Sequence, residues 1–230
     1  RSKGFTSSPP NVPVVDNPYP QKHVSVIALP GGRHANDVRA LAVDSGNRVL
    51  CATAWGLFAV RQEFATTEPL GELPPEWTPP VEVGRLEEGL PSLDVKEVRT
   101  DGSGAVWAAT LDGVARLEGD RWQALWSDTV ERFGAVMSVW PDESDLWVVT
   151  SHRGFGRVKK GQWKPIALPP ELGRALRIDP ATSGVWVSAS AGAAWILPDG
   201  SCCMTLNTGC QVRRVVHRGA IYLATGRGLT

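Results

Sequence analysis

The sequence predicts an all-β fold, a β-propeller of four-stranded antiparallel blades, with five blades closing a ring or forming part of a larger one. Three observations predict it. One phrase of alternating apolar residues returns five times, beginning at Val38, Val95, Val136, Arg174 and Val212. The aromatic residue at its centre recurs at even steps: Trp107 to Trp147 is 40 residues, Trp147 to Trp186 is 39, and Trp186 to Tyr222 is 36. Repeats of that length made of short strands mark a propeller. No sustained helical period competes, a turn of helix at 129–133 being the one candidate.

The elements follow in order. Residues 1–22 are rich in Pro, Ser and Asn without periodicity, and predict an extended or disordered arm, with the propeller occupying 23–230. Segment 23–29 (HVSVIAL) alternates as a strand and is stopped by Pro30-Gly31-Gly32. Each phrase then supplies three strands, and a more polar segment after it supplies the outer fourth: TPPVEVGRL from Thr78, GDRWQALW from Gly119, GQWKPIALP from Gly161. The first interval, Leu50 to Trp107, is 57 residues; its surplus lies in 62–80, where two Pro pairs bracket Trp77, and predicts a surface loop inserted into the first blade. Residues 185–197 are too short an apolar run to span a bilayer and read as two strands and a turn. The last phrase stops at Thr230, where its third strand should run. Either segment 23–29 completes that blade and closes five blades, or further blades follow.

Composition narrows the function classes. The chain has 24 basic and 24 acidic side chains, so no broad cationic field favours nucleic acid or an anionic membrane. Apolar residues make up 42% and charged residues 21%, ordinary for a globular protein, while ten Trp is high and fits blade packing. Of four Cys, Cys51 replaces a small apolar residue in a strand and reads as a buried thiol. Cys202, Cys203 and Cys210 cluster, leaving a local disulfide, free thiols or a metal site open; the spacing lacks a Cys-x-x-Cys pair.

The phrase has a physical logic. An Asp-x-x-Gly turn such as 101–104 offers a carboxylate to the amides of a tight hairpin. The central Trp fills the wedge between blades, and Gly56, Gly113, Gly154 and Gly228 allow positive φ in the next hairpin. The pattern, seen best in DGSGAVWAATLDGVARL from Asp101, resembles the two-component regulator propeller repeat. The likeness covers 38–230 and weakens in the fourth phrase, where Ala189 replaces Thr and the final Gly is read as Ala193. It implies a sensor-type propeller, extracytoplasmic or secreted, and it lacks the Gly-His and Trp-Asp marks of WD40 repeats.

No catalytic signature is present: no Gly-x-Ser-x-Gly, His-Glu-x-x-His, phosphate-binding Gly-Lys-Ser/Thr or Gly-x-Gly-x-x-Gly. The candidate site is the loop face, formed by the loops leading into the inner strands and the hairpins between second and third strands. Those loops hold Trp55, His152, Arg153, Arg227, His34 and Arg132, expected to converge near the mouth of the central channel. An aromatic among cationic donors suits a partner's acidic segment, a carbohydrate or a small anion. Asp44, Asp101, Asp142 and Asp179 sit in separate hairpins on the opposite face, where turn formation accounts for them, so no metal and no cofactor are expected. A propeller lyase would need a channel histidine as base, for which His152 is the candidate. The reading is therefore a non-enzymatic interaction platform with a protein partner, the alternatives being a ligand-sensing propeller and a propeller lyase or hydrolase.

Overall fold

The computed structural model describes residues 27–62, 81–127, 129–142, 145–218, 220–226 and 228–229. They form five antiparallel sheets, each with its strands hydrogen-bonded in chain order. Blade 1 is β1 (Val38–Val43), β2 (Val49–Thr53), β3 (Gly56–Gln62) and β4 (Val81–Arg85). Blade 2 is β5 (Val95–Thr100), β6 (Val106–Thr110), β7 (Gly113–Glu118) and β8 (Arg121–Ser127). Blade 3 is β9 (Val136–Asp142), β10 (Asp145–Thr150), β11 (Gly154–Lys159) and β12 (Gln162–Pro165). Blade 4 is β13 (Ala175–Pro180), β14 (Val185–Ala189), β15 (Gly192–Ile196) and β16 (Cys202–Asn207). Blade 5 shows β17 (Val212–Arg218), β18 (Ala220–Thr225) and β19 (Gly228–Leu229). The propeller expected from the repeats is the fold observed.

Several expectations need correction or fall elsewhere. Beside α2 (Val130–Phe133), a helical turn α1 (Gly32–Ala35) and a 3-10 turn (Pro170–Leu172) also form. Gly192 opens β15 as Gly113 opens β7, so the fourth phrase keeps its Gly; the alignment to Ala193 was one residue late. The SCCMTLN segment is the outer strand β16, and all four thiols are free, Cys51 buried and Cys202 and Cys203 exposed. Arm 1–22, segment 23–26 and the loop 63–80 lie outside the described residues.

Where the phrase has its threonine, in blades 1, 2, 3 and 5, that residue closes the hairpin between second and third strands. Thr53 Oγ1 donates to the Gly56 carbonyl (2.8 Å), Thr110 to Gly113 (3.0 Å) and Thr225 to Gly228 (2.8 Å). The same oxygen accepts an amide of the tip, from Trp55 or Asp112. Gly113 is required twice over: its φ is 145°, and a Cβ there would collide with the Trp126 carbonyl.

Blades are joined by apolar wedges. Trp107 packs with Val136, Val139 and Val148 between blades 2 and 3, Trp147 with Ile178 and Val187 between blades 3 and 4, and Trp186 with Val212 and Val215 between blades 4 and 5. Asp101 behaves as a turn former, accepting the Ser103 and Ala105 amides and the Trp107 indole. Asp44 likewise accepts Gly46 and Arg48 amides. Asp142 accepts the Trp147 indole as Asp101 accepts that of Trp107, and also Arg157; buried Asp179 departs from the expectation, accepting the Val215 amide of the next blade.

Two positions of the inner strand report what covers each blade. Val95, Val136, Ala175 and Val212 are buried, as are Val98, Val139, Ile178 and Val215. Their counterparts in β1, Val38 and Leu41, are 44% and 63% exposed. On the far side, Tyr222 is 46% exposed where Trp107, Trp147 and Trp186 are buried. The outer flanks of blades 1 and 5 thus repeat the chemistry of the wedges while remaining open to solvent.

All five inner strands carry a register shift at the same place, after their first residue. A bulge re-aims the side chains that follow it. The re-aimed positions are Ala40, Glu97, Ser138, Arg177 and Arg214, one per blade. Glu97 is buried and accepts from Arg99 (2.7 Å), Arg177 (2.8 Å), Ser138 Oγ (2.8 Å) and the Val139 amide (3.1 Å). Arg99 also donates to the Ile178 carbonyl (2.8 Å), so charges from blade 2 clasp blades 3 and 4 across the axis.

Candidate functional site

A cavity of about 1160 Å³, open to solvent, lies on the loop face between blades 2 and 3. Its wall is aromatic. Trp126 of β8 and Trp163 of β12 lie parallel, 2° apart with centroids at 6.0 Å, and Phe133 at the end of α2 tilts onto both at 5.0 and 5.6 Å. Its rim is charged, from Glu131, Arg132 and Arg153.

Local chemistry places each group. Asp112, at the tip of the hairpin before α2, accepts the Thr129 (2.7 Å) and Val130 (2.9 Å) amides, the free donors that begin a helical turn. Gly134 ends that turn at φ 70°, and a Cβ there would strike Ser151 and His152. The hairpin of blade 3 then docks on the same loop: the Ser151 amide donates to Ala135 and the His152 amide to Phe133. Arg153 Nε donates to the Arg132 carbonyl (3.2 Å), while the Arg132 guanidinium lies over the Phe133 ring at 5.3 Å. Arg153 is thereby tied to the lead-in loop and Arg132 lies on the Phe133 ring, and among the described residues their other guanidinium nitrogens make no hydrogen bond within the protein.

The expected site residues divide. Arg132 and Arg153 meet in this groove. His152 is exposed beside Gly134 and does not line it. Trp55 is half-exposed, packed on Gly31 with its carbonyl held by Arg85 (3.0 Å), and exposed His34 lies on α1; both belong to the loops of blade 1. No described cavity is lined by both groups. Arg227 lies outside the described residues. Trp126, Phe133 and Trp163 were missed as site residues. The available signal was the pair of Trp in segments read as polar outer strands; Trp126 is itself buried in the cluster between blades 2 and 3, with Phe133 and Trp163 packed against it.

Among the described residues, no group of three or more His, Cys, Asp or Glu side chains converges as a metal site, and no helix is long and apolar enough to cross a membrane.

No family model matches the chain, and no curated protein matches it. Solved structures do. The chain is similar to virginiamycin B lyase from Staphylococcus aureus, with a TM-score of 0.62 and 11% identity over 87% of this chain and 66% of that one. It is similar to YCF48 bound to D1 peptide, at TM-score 0.55 and 14% identity, over 88% of this chain and 64% of that one. It is also similar to the extracellular domain of a protein assigned as a hybrid two component system in B. thetaiotaomicron. There the TM-score is 0.55 and the identity 17%, over 84% of this chain and 28% of that one. At these identities the likeness is one of fold: a propeller used by an enzyme, a peptide binder and a sensor domain alike.

Proposed function

We propose that this propeller is a non-enzymatic interaction platform whose groove between blades 2 and 3 takes an extended acidic segment of a partner protein. The observation that carries the reading is the convergence of Trp126 and Trp163 with Arg132 and Arg153 around one open groove. Trp and Arg are the residues on which interface energy concentrates, because they desolvate large areas while fixing geometry. An aromatic or aliphatic side chain would lie against the indoles, and carboxylates on either side would meet the guanidiniums. The volume exceeds that of most small-ligand pockets, which favours a chain segment over a single small anion. A propeller of the same fold bound to a peptide supports the same use. The sensor-domain likeness supports an extracytoplasmic setting.

The second reading is a carbohydrate- or small-anion-sensing propeller. The parallel indoles favour it, since flat aromatic faces also stack against sugar rings. The lyase reading is less supported, because His152, its candidate base, stands outside the groove.

Selection from a displayed peptide library, followed by fluorescence polarisation, tests the proposal. Enrichment of acidic peptides with an aromatic or aliphatic residue is expected, with affinity falling at least about tenfold, or about 1.4 kcal/mol, in both Trp163→Ala and Arg153→Glu. Arg153 is exposed, so its variant should fold normally. No enrichment, or binding that ignores both substitutions, would overturn it. A glycan-array response lost in Trp163→Ala would instead favour the sensing alternative.

A further inference from the structure

A second cavity lies on the axis itself, about 300 Å³, lined by residues from the inner strands of all five blades. Its walls come mostly from the later halves of those strands, Leu41, Thr100, Trp140 and Asp179 among them, with Arg177 and Arg214 reaching in from nearer the strand starts. Because the repeats are equivalent, the inner strands carry two layers of matched positions, of which Ala42, Arg99, Trp140, Arg177, Asp179 and Arg214 line the cavity. The first layer is Ala40, Glu97, Ser138, Arg177 and Arg214. The second is Ala42, Arg99, Trp140, Asp179 and Val216. Blade 1 contributes alanine to both layers, where each of the other four blades places a long polar or aromatic side chain in at least one.

The charges of these layers do not cancel. Three guanidiniums, on Arg99, Arg177 and Arg214, meet two carboxylates, on Glu97 and Asp179. Both carboxylates are buried and already engaged by the clasp. Donors remain. The Arg99 side chain is only 8% exposed, stacks over Trp140 at 5.2 Å, and its Nε has no hydrogen-bond partner. Arg177 spends Nη1 on Glu97 and Nε on Asp179, leaving Nη2. Arg214 comes no nearer than 4.0 Å to Asp179, leaving its terminal nitrogens without a protein acceptor among the described residues. Of the three, Arg99 alone is buried with an unfilled donor, which is costly unless an acceptor completes it, while Arg177 and Arg214 hold their open edges toward solvent.

We propose that this axial basin binds a small carboxylate ligand, gripped by the open edges of Arg177 and Arg214 with Trp140 as a wall. Guanidinium forks match a carboxylate with two parallel hydrogen bonds, and one negative charge neutralises the excess. The volume limits the ligand to a small organic acid or the C-terminal carboxylate of a short peptide. The site rests on the inner strands alone and stands or falls independently of the groove.

Calorimetric titration of the chain with acetate, succinate and citrate, and with triglycine as free acid and as C-terminal amide, tests it. Saturable one-to-one binding of at least one carboxylate is expected, with triglycine amide silent. A response to triglycine free acid, but to none of the organic acids, would identify a peptide terminus as the source. Arg214→Gln removes a mostly exposed side chain, so it should fold, and should weaken binding at least about tenfold, with Arg214→Lys in between. Arg121→Gln removes the same charge from an exposed position on β8 and should leave affinity unchanged. Absence of saturable binding by every probe, full affinity in Arg214→Gln, or equal losses in the Arg214 and Arg121 variants would each overturn the proposal.

Discussion

Thr110 shows how one hydroxyl shapes a blade. Fully buried, it donates to the Gly113 carbonyl and accepts the Asp112 amide, pinning the hairpin tip that carries Asp112 toward α2. Thr110→Val keeps the shape and removes both bonds, so a loss of about 1–3 kcal/mol is expected by urea titration, with Thr110→Ser close to the parent. The threonine was visible in the repeated phrase, but not its reason, since the acceptor lies across a turn whose geometry depends on positive φ at the following Gly. Asp101 adds a pH signature. Burial alone would raise its carboxyl, but hydrogen bonds from the Ser103 hydroxyl, the Trp107 indole and the Ser103 and Ala105 amides outweigh burial and hold it below the usual range. A depressed carboxylate stabilises the fold above its unfolded value, near about 3.9, and that stability is lost as pH falls through the lower folded value. Asp101→Asn should therefore be less stable than the parent at neutral pH, the gap in urea midpoint narrowing below about pH 4.

At the scale of elements, the groove depends on a four-residue helix too short to hold itself. Helix α2 stays in place because Asp112 from the preceding blade caps it and the blade 3 hairpin docks on its end. Asp112→Ala should cost about 1 kcal/mol of stability, the usual worth of a cap, while reducing peptide affinity far more than that loss suggests. Parallel denaturation and polarisation measurements check both parts. Here the sequence was half legible. Arg132 and Arg153 were expected on one face, and they meet because the lead-in loop and the hairpin of a blade always stack there; Trp55 packs beside α1 in blade 1 by the same rule. The blade 1 residues Trp55 and His34 do not line that groove, which is built where the loops of blades 2 and 3 meet. The Trp126–Trp163 pairing spans two outer strands, and no periodicity within one strand reveals which neighbour it faces.

Over the whole molecule, even spacing of Trp107, Trp147 and Trp186 made the ring legible, since each fills one wedge. The axial clasp was not. It depends on a bulge that turns Glu97, Arg177 and Arg214 inward, and a strand with a bulge has no fixed parity in sequence. The open flanks make a thermodynamic prediction. Ile178→Ala empties a wedge and should cost about 2–5 kcal/mol, whereas Leu41→Ala, at the same repeat position, should stay within about 0.5 kcal/mol in this chain. Equal losses would mean that the flank of blade 1 is covered.

The most direct measurement is hydrogen exchange by mass spectrometry, with and without the tightest acidic peptide from the display selection. Slowed exchange should concentrate in 121–135 and 150–165, the strands and loops that hold Trp126, Phe133, Arg153 and Trp163. Protection centred instead on the loops bearing His34 and Trp55 or on the bare flank of β1, or no protection anywhere, would contradict the groove as the place where this propeller meets its partner.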